Sequence, residues 1–274
     1  MSPARNRTRS HDHAEIRAAV LAQLDHVRRA VLTLTPVELE APTRLGDWTV
    51  RDLAVHIALA AAATTGSAAL PEPPEQEFAL LDWPVRTAEF AEAFDRATRE
   101  AVDALEASVG PGGTTEALGE LYRRTAAELA DVLDANTGDR LLATRCGGMR
   151  LDDHLVTRAV ELIVHTDDLM VATGRDIPLE RPTVAACARL LADTLALKAP
   201  GGSVEVRIPP YAVVQCVEDP RHTRDTPPHV VETDPVTWIR LATGRTGWGE
   251  ALDASRVSTS GERADISGLL PLLS

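Results

Sequence analysis

The sequence is short of lysine. Of its 28 basic residues only Lys198 is not arginine, and 41 acidic residues leave a formal net charge of −13. No basic run interrupts that balance. Such a surface repels phosphate backbones and anionic lipid, which argues against nucleic-acid binding. Long apolar runs are missing too: no window approaches the ~18 apolar residues of a membrane helix. The opening "MSPARNRTRSHDHAE" lacks the apolar stretch of a signal peptide. Cysteine is scarce. Cys146, Cys187 and Cys216 are odd in number and far apart. They make neither a disulfide framework nor a CxxC metal site, and they fit a reduced cytoplasm. There is no internal repeat or low-complexity tract, and nothing speaks for an oligomeric state.

What is present suffices for a substantial core. The chain has 274 residues, 44% of them hydrophobic, enough for one large domain or two ordinary ones. Arginine in place of lysine, with abundant alanine, reflects a genome rich in G and C more than a function.

Apolar spacing near 3.6 predicts a first helix over 13–33, capped by Ser10 or Asp12. "TPVELEAPTRLGDW" reads as a loop. A second helix follows over about 48–65, with Asp47 or Thr49 near its start and Gly66 at its end. The acidic "PEPPEQE" is a stiff connection. Helical patterns cover 86–107 and 115–135, split by "GPGG". "GDRLLATRCGGMR" reads as a turn-rich link before a long helix over 151–173, ended by Gly174. Through residue 174 the pattern is all helix, that of a bundle. The character then changes. A helix over 182–198 precedes the β-branched runs "GGSVEVRIP", "AVVQCV" and "PHVVETD". "DPVTWIRLATG" is helical, with Asp234 as cap and Pro235 in the first turn, and "RVSTSG" is a last strand. The expected fold class is therefore α+β: a flexible N-terminus over 1–12, a helical bundle over 13–178 and a small α+β domain over 179–274.

Two helices carry residues out of keeping with their neighbours. In "AVELIVHTDDLM", Glu161 and His165 lie four apart, about 40° from each other on one face. His154, Thr157, Arg158 and Asp168 share that stripe, while Leu155, Val156, Val160, Leu162, Ile163, Val164, Leu169 and Met170 cover the rest. A solvated seam is one reading; a set of ligands is the other. His56 stands alone among Ala, Leu, Val and Ile on the second helix. It is either a satisfied core histidine or a ligand whose far ring nitrogen is held by Asp52, one turn earlier. If the two seams face each other, His56, Glu161 and His165 converge. Two imidazoles and one carboxylate form a common three-ligand set with positions left open. Zinc suits it best; nickel, cobalt, manganese and iron remain compatible by ligand type. His154, almost two turns from Glu161, is the nearest fourth donor.

"LTPVELEAPTRLGDWTVRDLAVHIA" and "GMRLDDHLVTRAVELIVHTDDL" resemble the two metal-binding segments of the mycothiol-dependent maleylpyruvate isomerase family, which belongs to the DinB-like four-helix bundles. "DPVTWIRLATGR" with a following Trp is similar to that family's sterol-carrier-like C-terminal domain. The likeness covers nearly the whole chain after residue 12. It implies that His56, Glu161 and His165 bind a divalent metal, usually zinc, and that mycothiol serves as thiol co-substrate toward a small-molecule electrophile. The expected reaction is cis–trans isomerisation or S-transfer. An electrophile with acidic or carbonyl groups calls for an arginine. Arg245 is a candidate because this family's C-terminal domain is thought to help close the site; Arg158 shares the stripe, and Arg44 precedes the second helix. Two alternatives stand beside this: metal-assisted hydrolysis with Asp52 or Asp168 as base, and a non-enzymatic carrier whose metal only stabilises the bundle. Trp48 and Trp238 read as packing residues, Arg263 as structural, and "HDH" over 11–13 as a mobile tail.

Overall fold

The computed structural model describes residues 12–109, 113–218 and 229–273. Of the N-terminal segment expected to be flexible, only Asp12 is among them, and its carboxylate accepts from the Glu15 N–H at 3.1 Å to cap the first helix. His13 is that helix's first residue rather than part of a tail.

The chain runs α1 (His13–Val31), α2 (Pro36–Leu39), α3 (Val50–Ala68), α4 (Trp83–Arg86), α5 (Ala91–Ser108), α6 (Thr114–Ala135), β1 (Leu141–Thr144), β2 (Gly147–Arg150), α7 (Leu151–Thr173), α8 (Arg181–Lys198), β3 (Val204–Ile208), β4 (Ala212–Cys216), β5 (His229–Thr233), α9 (Pro235–Ala242), α10 (Trp248–Asp253) and β6 (Val257–Ser260). Four long helices close a ring: α1 packs on α6, α6 on α3, α3 on α7 and α7 on α1. Their shared stripes are apolar. Leu24, Leu53, Leu129 and Leu155 are fully buried, each burial stabilising by about 1.5–3 kcal/mol. Tyr122 Oη donates to the Ala54 carbonyl at 2.7 Å, pinning α6 to α3.

Three expectations need correction. Gly66 does not end α3, which continues to Ala68. A Cβ at Gly66 would meet no atom within 4 Å, so its absence reflects open space beside the helix and not a left-handed cap. The turn-rich link over 138–150 contains an antiparallel hairpin, β1 with β2, so the first 174 residues are not all helix. The loop over 35–48 holds α2, whose Thr35 and Glu38 form a reciprocal capping box.

The later part has a four-stranded sheet in the order β4-β3-β5-β6. Only the β3–β5 pair is parallel. Val204, Val206 and Ile208 alternate inward, as do Ala212, Val214 and Cys216, the period-2 pattern of a sheet covered on one face. α8 packs against β4 and α9 packs on α8, where Trp238 Nε1 donates to the Ala188 carbonyl at 3.2 Å. α8 also packs against α1 and α7, so one helix joins sheet and bundle. Among the described residues no helix is long and apolar enough to cross a membrane.

Candidate metal centre and its cavity

α3 carries the first donor. Thr49 caps it by accepting from the Asp52 N–H, and the Asp52 carboxylate accepts from the Thr49 backbone N–H and hydroxyl at 2.8 Å each. Asp52 is thus committed to starting the helix and does not orient His56. That part falls to Thr98 on α5, whose Oγ1 lies 3.1 Å from His56 Nδ1. Sequence reasoning missed Thr98, which sits on a distant helix with no spacing to betray it. Trp48 packs against the imidazole with ring centroids 4.8 Å apart and the planes tilted by 53°, and its Nε1 donates to Asp95 at 2.7 Å.

α7 supplies the other two donors. It is apolar around most of its circumference, carries Asp152 and Asp153 in its first turn and stops at Gly174, φ +66°; acidic groups at a helix start suit the dipole. Its narrow polar seam meets α3. His56 Nε2 lies 3.7 Å and His165 Nε2 3.3 Å from Glu161 Oε2. The three side chains offer ligand atoms all within 4.8 Å of one another. His154 stands outside this group.

The donor set fits a divalent cation. Ligand atoms bound at about 2.0–2.2 Å in a tetrahedral array sit roughly 3.3–3.5 Å apart, close to the two separations here. Both imidazoles turn Nε2 toward the shared oxygen while Nδ1 is occupied elsewhere, which holds both ring planes. For His165 the outer partner is Asp168 Oδ2, at 2.9 Å.

Electrostatics agree. Burial pushes the Glu161 carboxyl up, but hydrogen bonds from His165 and His56 and the nearby Arg158 outweigh it and hold the group well below its ordinary range. Burial pulls His56 down, against the opposing pull of Glu161. Burial also opposes the charge on His165, yet Asp168 and Glu161 carry that imidazole upward.

Asp168 belongs to a larger arrangement that reaches the C-terminal part. It is fully buried. It accepts from Arg44 Nε at 2.5 Å and from Arg245 Nη2 and Nε at 2.9 and 3.2 Å. Its neighbour Asp167 pairs with Arg44 at 2.5 Å and with Arg240 at 2.5–3.1 Å. Arg245 also donates to the Thr243 carbonyl at 2.8 Å. Thus Arg44 and Arg245, expected near substrate, grip the carboxylate that orients His165. The sequence signal was the "TDD" following the ExxxH pattern, in which Asp168 is three residues beyond His165.

The cluster opens into a cavity of about 850 Å³ between α3, α5, α7 and the β1–β2 hairpin, lined by His56, Glu161, His165, Arg158, His154, Cys146 and mostly apolar side chains. Arg158 is buried. Its Nη1 donates to the Ala60 carbonyl at 3.0 Å, and Nε and Nη2 reach Thr157 Oγ1 at 3.2 and 3.1 Å. No carboxylate among the described residues pairs with it. Burial lowers its pKa from the usual guanidinium value. His154 is buried as well, and its Nε2 has no partner. Burial, with Arg158 adding to it, holds that imidazole well below its ordinary value. Burial pushes the Cys146 thiol up, against the weaker pull of Arg86 and Arg158.

Fold and site together define a four-helix-bundle protein with an open three-donor centre, joined to a small α+β domain. Residues 20–170 match the model of the mycothiol maleylpyruvate isomerase N-terminal domain, and residues 180–272 match that of the bacterial SCP ortholog. The chain belongs to the mycothiol maleylpyruvate isomerase family, a family of enzymes. Among solved structures it is similar to a mycothiol-dependent maleylpyruvate isomerase, at 18% identity and a TM-score of 0.59 over 93% of this chain and 95% of that one. A histidine-to-alanine mutant of that isomerase gives the same identity and coverage with a TM-score of 0.58. Among curated proteins none matches the chain.

Proposed function

We propose that this chain is a metal-dependent, thiol-using enzyme in which mycothiol attacks a small-molecule electrophile, as a cis–trans isomerase or an S-transferase. The observation that carries the reading is the convergence of His56 Nε2, Glu161 Oε2 and His165 Nε2 at the floor of a cavity, with both outer nitrogens already engaged. Zinc is the cation we assign to two nitrogens and one oxygen. When bound, such a cation lowers the pKa of a thiol and supplies thiolate at neutral pH.

The protein's own groups do the rest. His56, Glu161 and His165 hold their geometry through Thr98 and Asp168. Arg245 is a positioning residue acting through Asp168, and Arg158 faces the electrophile. In isomerisation, sulfur forms a bond to one carbon of an activated cis double bond, and the π pair moves onto the conjugated carbonyl. Rotation follows about the new single bond. The pair then returns, the C–S bond breaks, and thiol and trans product leave. In S-transfer the C–S bond persists, and a leaving group or opened epoxide oxygen takes the displaced pair. A positive charge at Arg158 stabilises a carbonyl or carboxyl group as electron density moves onto it.

The hydrolytic alternative has less support. It needs a free carboxylate base, whereas Asp52 is engaged by Thr49 and Asp168 by two arginines and His165. The carrier alternative is disfavoured by the cavity's position in the bundle instead of the later sheet. We place the division between the two domains near residue 179. A cytoplasmic setting suits three free thiols, Cys146, Cys187 and Cys216.

The test uses zinc-loaded full-length protein with mycothiol and maleylpyruvate. Product formed with thiol returned unchanged marks an isomerase. An electrophile such as monobromobimane, converted to a stable mycothiol adduct, marks an S-transferase. Absence of stoichiometric metal, or rates equal with and without mycothiol, would overturn the reading.

A further inference from the structure

We propose that the electrophile is bulky and mostly apolar and carries a single anionic group, which Arg158 receives. This deepens the proposed thiol chemistry and rests on it for what happens to the molecule, though not for its binding.

The first observation is the imbalance of the walls. The cavity holds about 850 Å³ and is lined by Leu59, Phe78, Trp83, Phe94 and Met149, with the alanines of α3. A small polyacid would leave most of that surface in contact with water, without the gain that apolar burial brings. Gly66 enlarges the space further, since nothing lies within 4 Å of where its Cβ would be.

The second observation is a count of charges. Three arginines line the cavity. Arg245 is neutralised by Asp168 at 2.9 Å, and Arg145 is exposed on the hairpin, where water screens it. Arg158 is the buried cation with no carboxylate partner among the described residues. A buried charge is costly unless paired. Glu161 is the main opposite charge acting on it, and that carboxylate is shared with two imidazoles. Two N–H groups of the Arg158 guanidinium remain beyond the three with partners. His154, four residues earlier on the same face, adds an unpartnered Nε2. One anionic group satisfies both. A second would find no other buried cation without a carboxylate partner among the described residues of the lining.

Position matters as well. Arg158 precedes Glu161 by three residues, about 4.5 Å along the helix axis. The anionic head therefore lies near the donor cluster, and the tail extends into the apolar lobe beside Trp83 and Phe94.

The test measures binding of unreactive probes to the zinc-loaded full chain without thiol, by calorimetry. Butanoate through decanoate should tighten by roughly fourfold per added methylene. Octanoate should bind at least about tenfold more tightly than octanamide, and more tightly than suberate, the diacid of equal length. Arg158→Gln should bring the octanoate-to-octanamide ratio close to one. Gly66→Leu, a favourable helix substitution, should weaken decanoate and spare butanoate. Flat chain-length dependence, suberate or maleate binding as tightly as octanoate, or an unchanged ratio in Arg158→Gln would each overturn the proposal. If Arg158→Gln does not fold, the three-way comparison on the unmutated protein decides. Failure of thiol transfer with these binding trends intact would sink the reaction and leave the pocket's specificity standing.

Discussion

Two stretches of α7 face one cavity and are built in opposite ways. From Glu161 to Asp168 the polar groups are answered: His165 by Asp168, Asp168 by Arg44 and Arg245, Asp167 by Arg44 and Arg240. From His154 to Arg158 they are left open, with an unpartnered imidazole nitrogen and a guanidinium that has only neutral partners. The contrast teaches how to separate geometry-holding from ligand-receiving groups. A fixed metal centre needs its outer atoms restrained, while a binding point needs donors still unspent. The cost of the open stretch is a desolvated charge, which the bundle carries on the strength of its core.

The comparison breaks most visibly at the donors. His56→Ala or His165→Ala should take zinc occupancy from stoichiometric to absent by elemental analysis, and thiol-dependent turnover with it. Asp168→Asn comes next. It leaves Arg245 without its buried counter-charge and Arg44 with Asp167 alone, which should cost about 3–5 kcal/mol in denaturant unfolding and weaken zinc about 10–100-fold in chelator competition. Arg240→Ala should cost less, about 1–2 kcal/mol, because Arg240 is 37% exposed and Asp167 keeps Arg44. Gly66→Ala should stabilise, by about 0.5–1 kcal/mol in thermal unfolding, since its Cβ meets nothing and helix propensity improves. A zinc loss on Arg240→Ala as deep as that on Asp168→Asn would mean that the two carboxylates do not divide their work as described.

Much of the fold was legible. The 3.6 period located α1, α6, α7 and α8, and Gly174 marked the end of α7 because the chain must turn left-handed there. The later strands announced themselves by β-branched alternation. The β1–β2 hairpin did not: its strands are four residues each, one of them beginning Gly-Gly, so local pattern carries little. Gly66 misled because glycine punctuates helices for two reasons, and the second, room beside the helix, exists only in three dimensions. At the site, the four-residue spacing put Glu161 and His165 on one face, and a convergent His56 followed from the two seams meeting. Asp52 misled because the same carboxylate can serve a cap three residues back or an imidazole four ahead. Thr49 won it, since the reciprocal box satisfies helix-end donors that otherwise have no partner. Arg245 and Arg44 could not be ranked from sequence, and Arg240 drew no notice there, because the carboxylates they choose lie more than seventy residues away in the chain.

Cys146 gives the cavity a liability of its own. On the proposed chemistry, a chamber that admits electrophiles for one sulfur exposes any other sulfur on its walls to alkylation. Burial keeps this thiol above its ordinary pKa, hence protonated at neutral pH and a poor nucleophile. The apolar wall proposed to receive a greasy molecule thus also keeps this thiol less reactive than a solvated one, and admitting water beside the hairpin would bring it back toward ordinary reactivity.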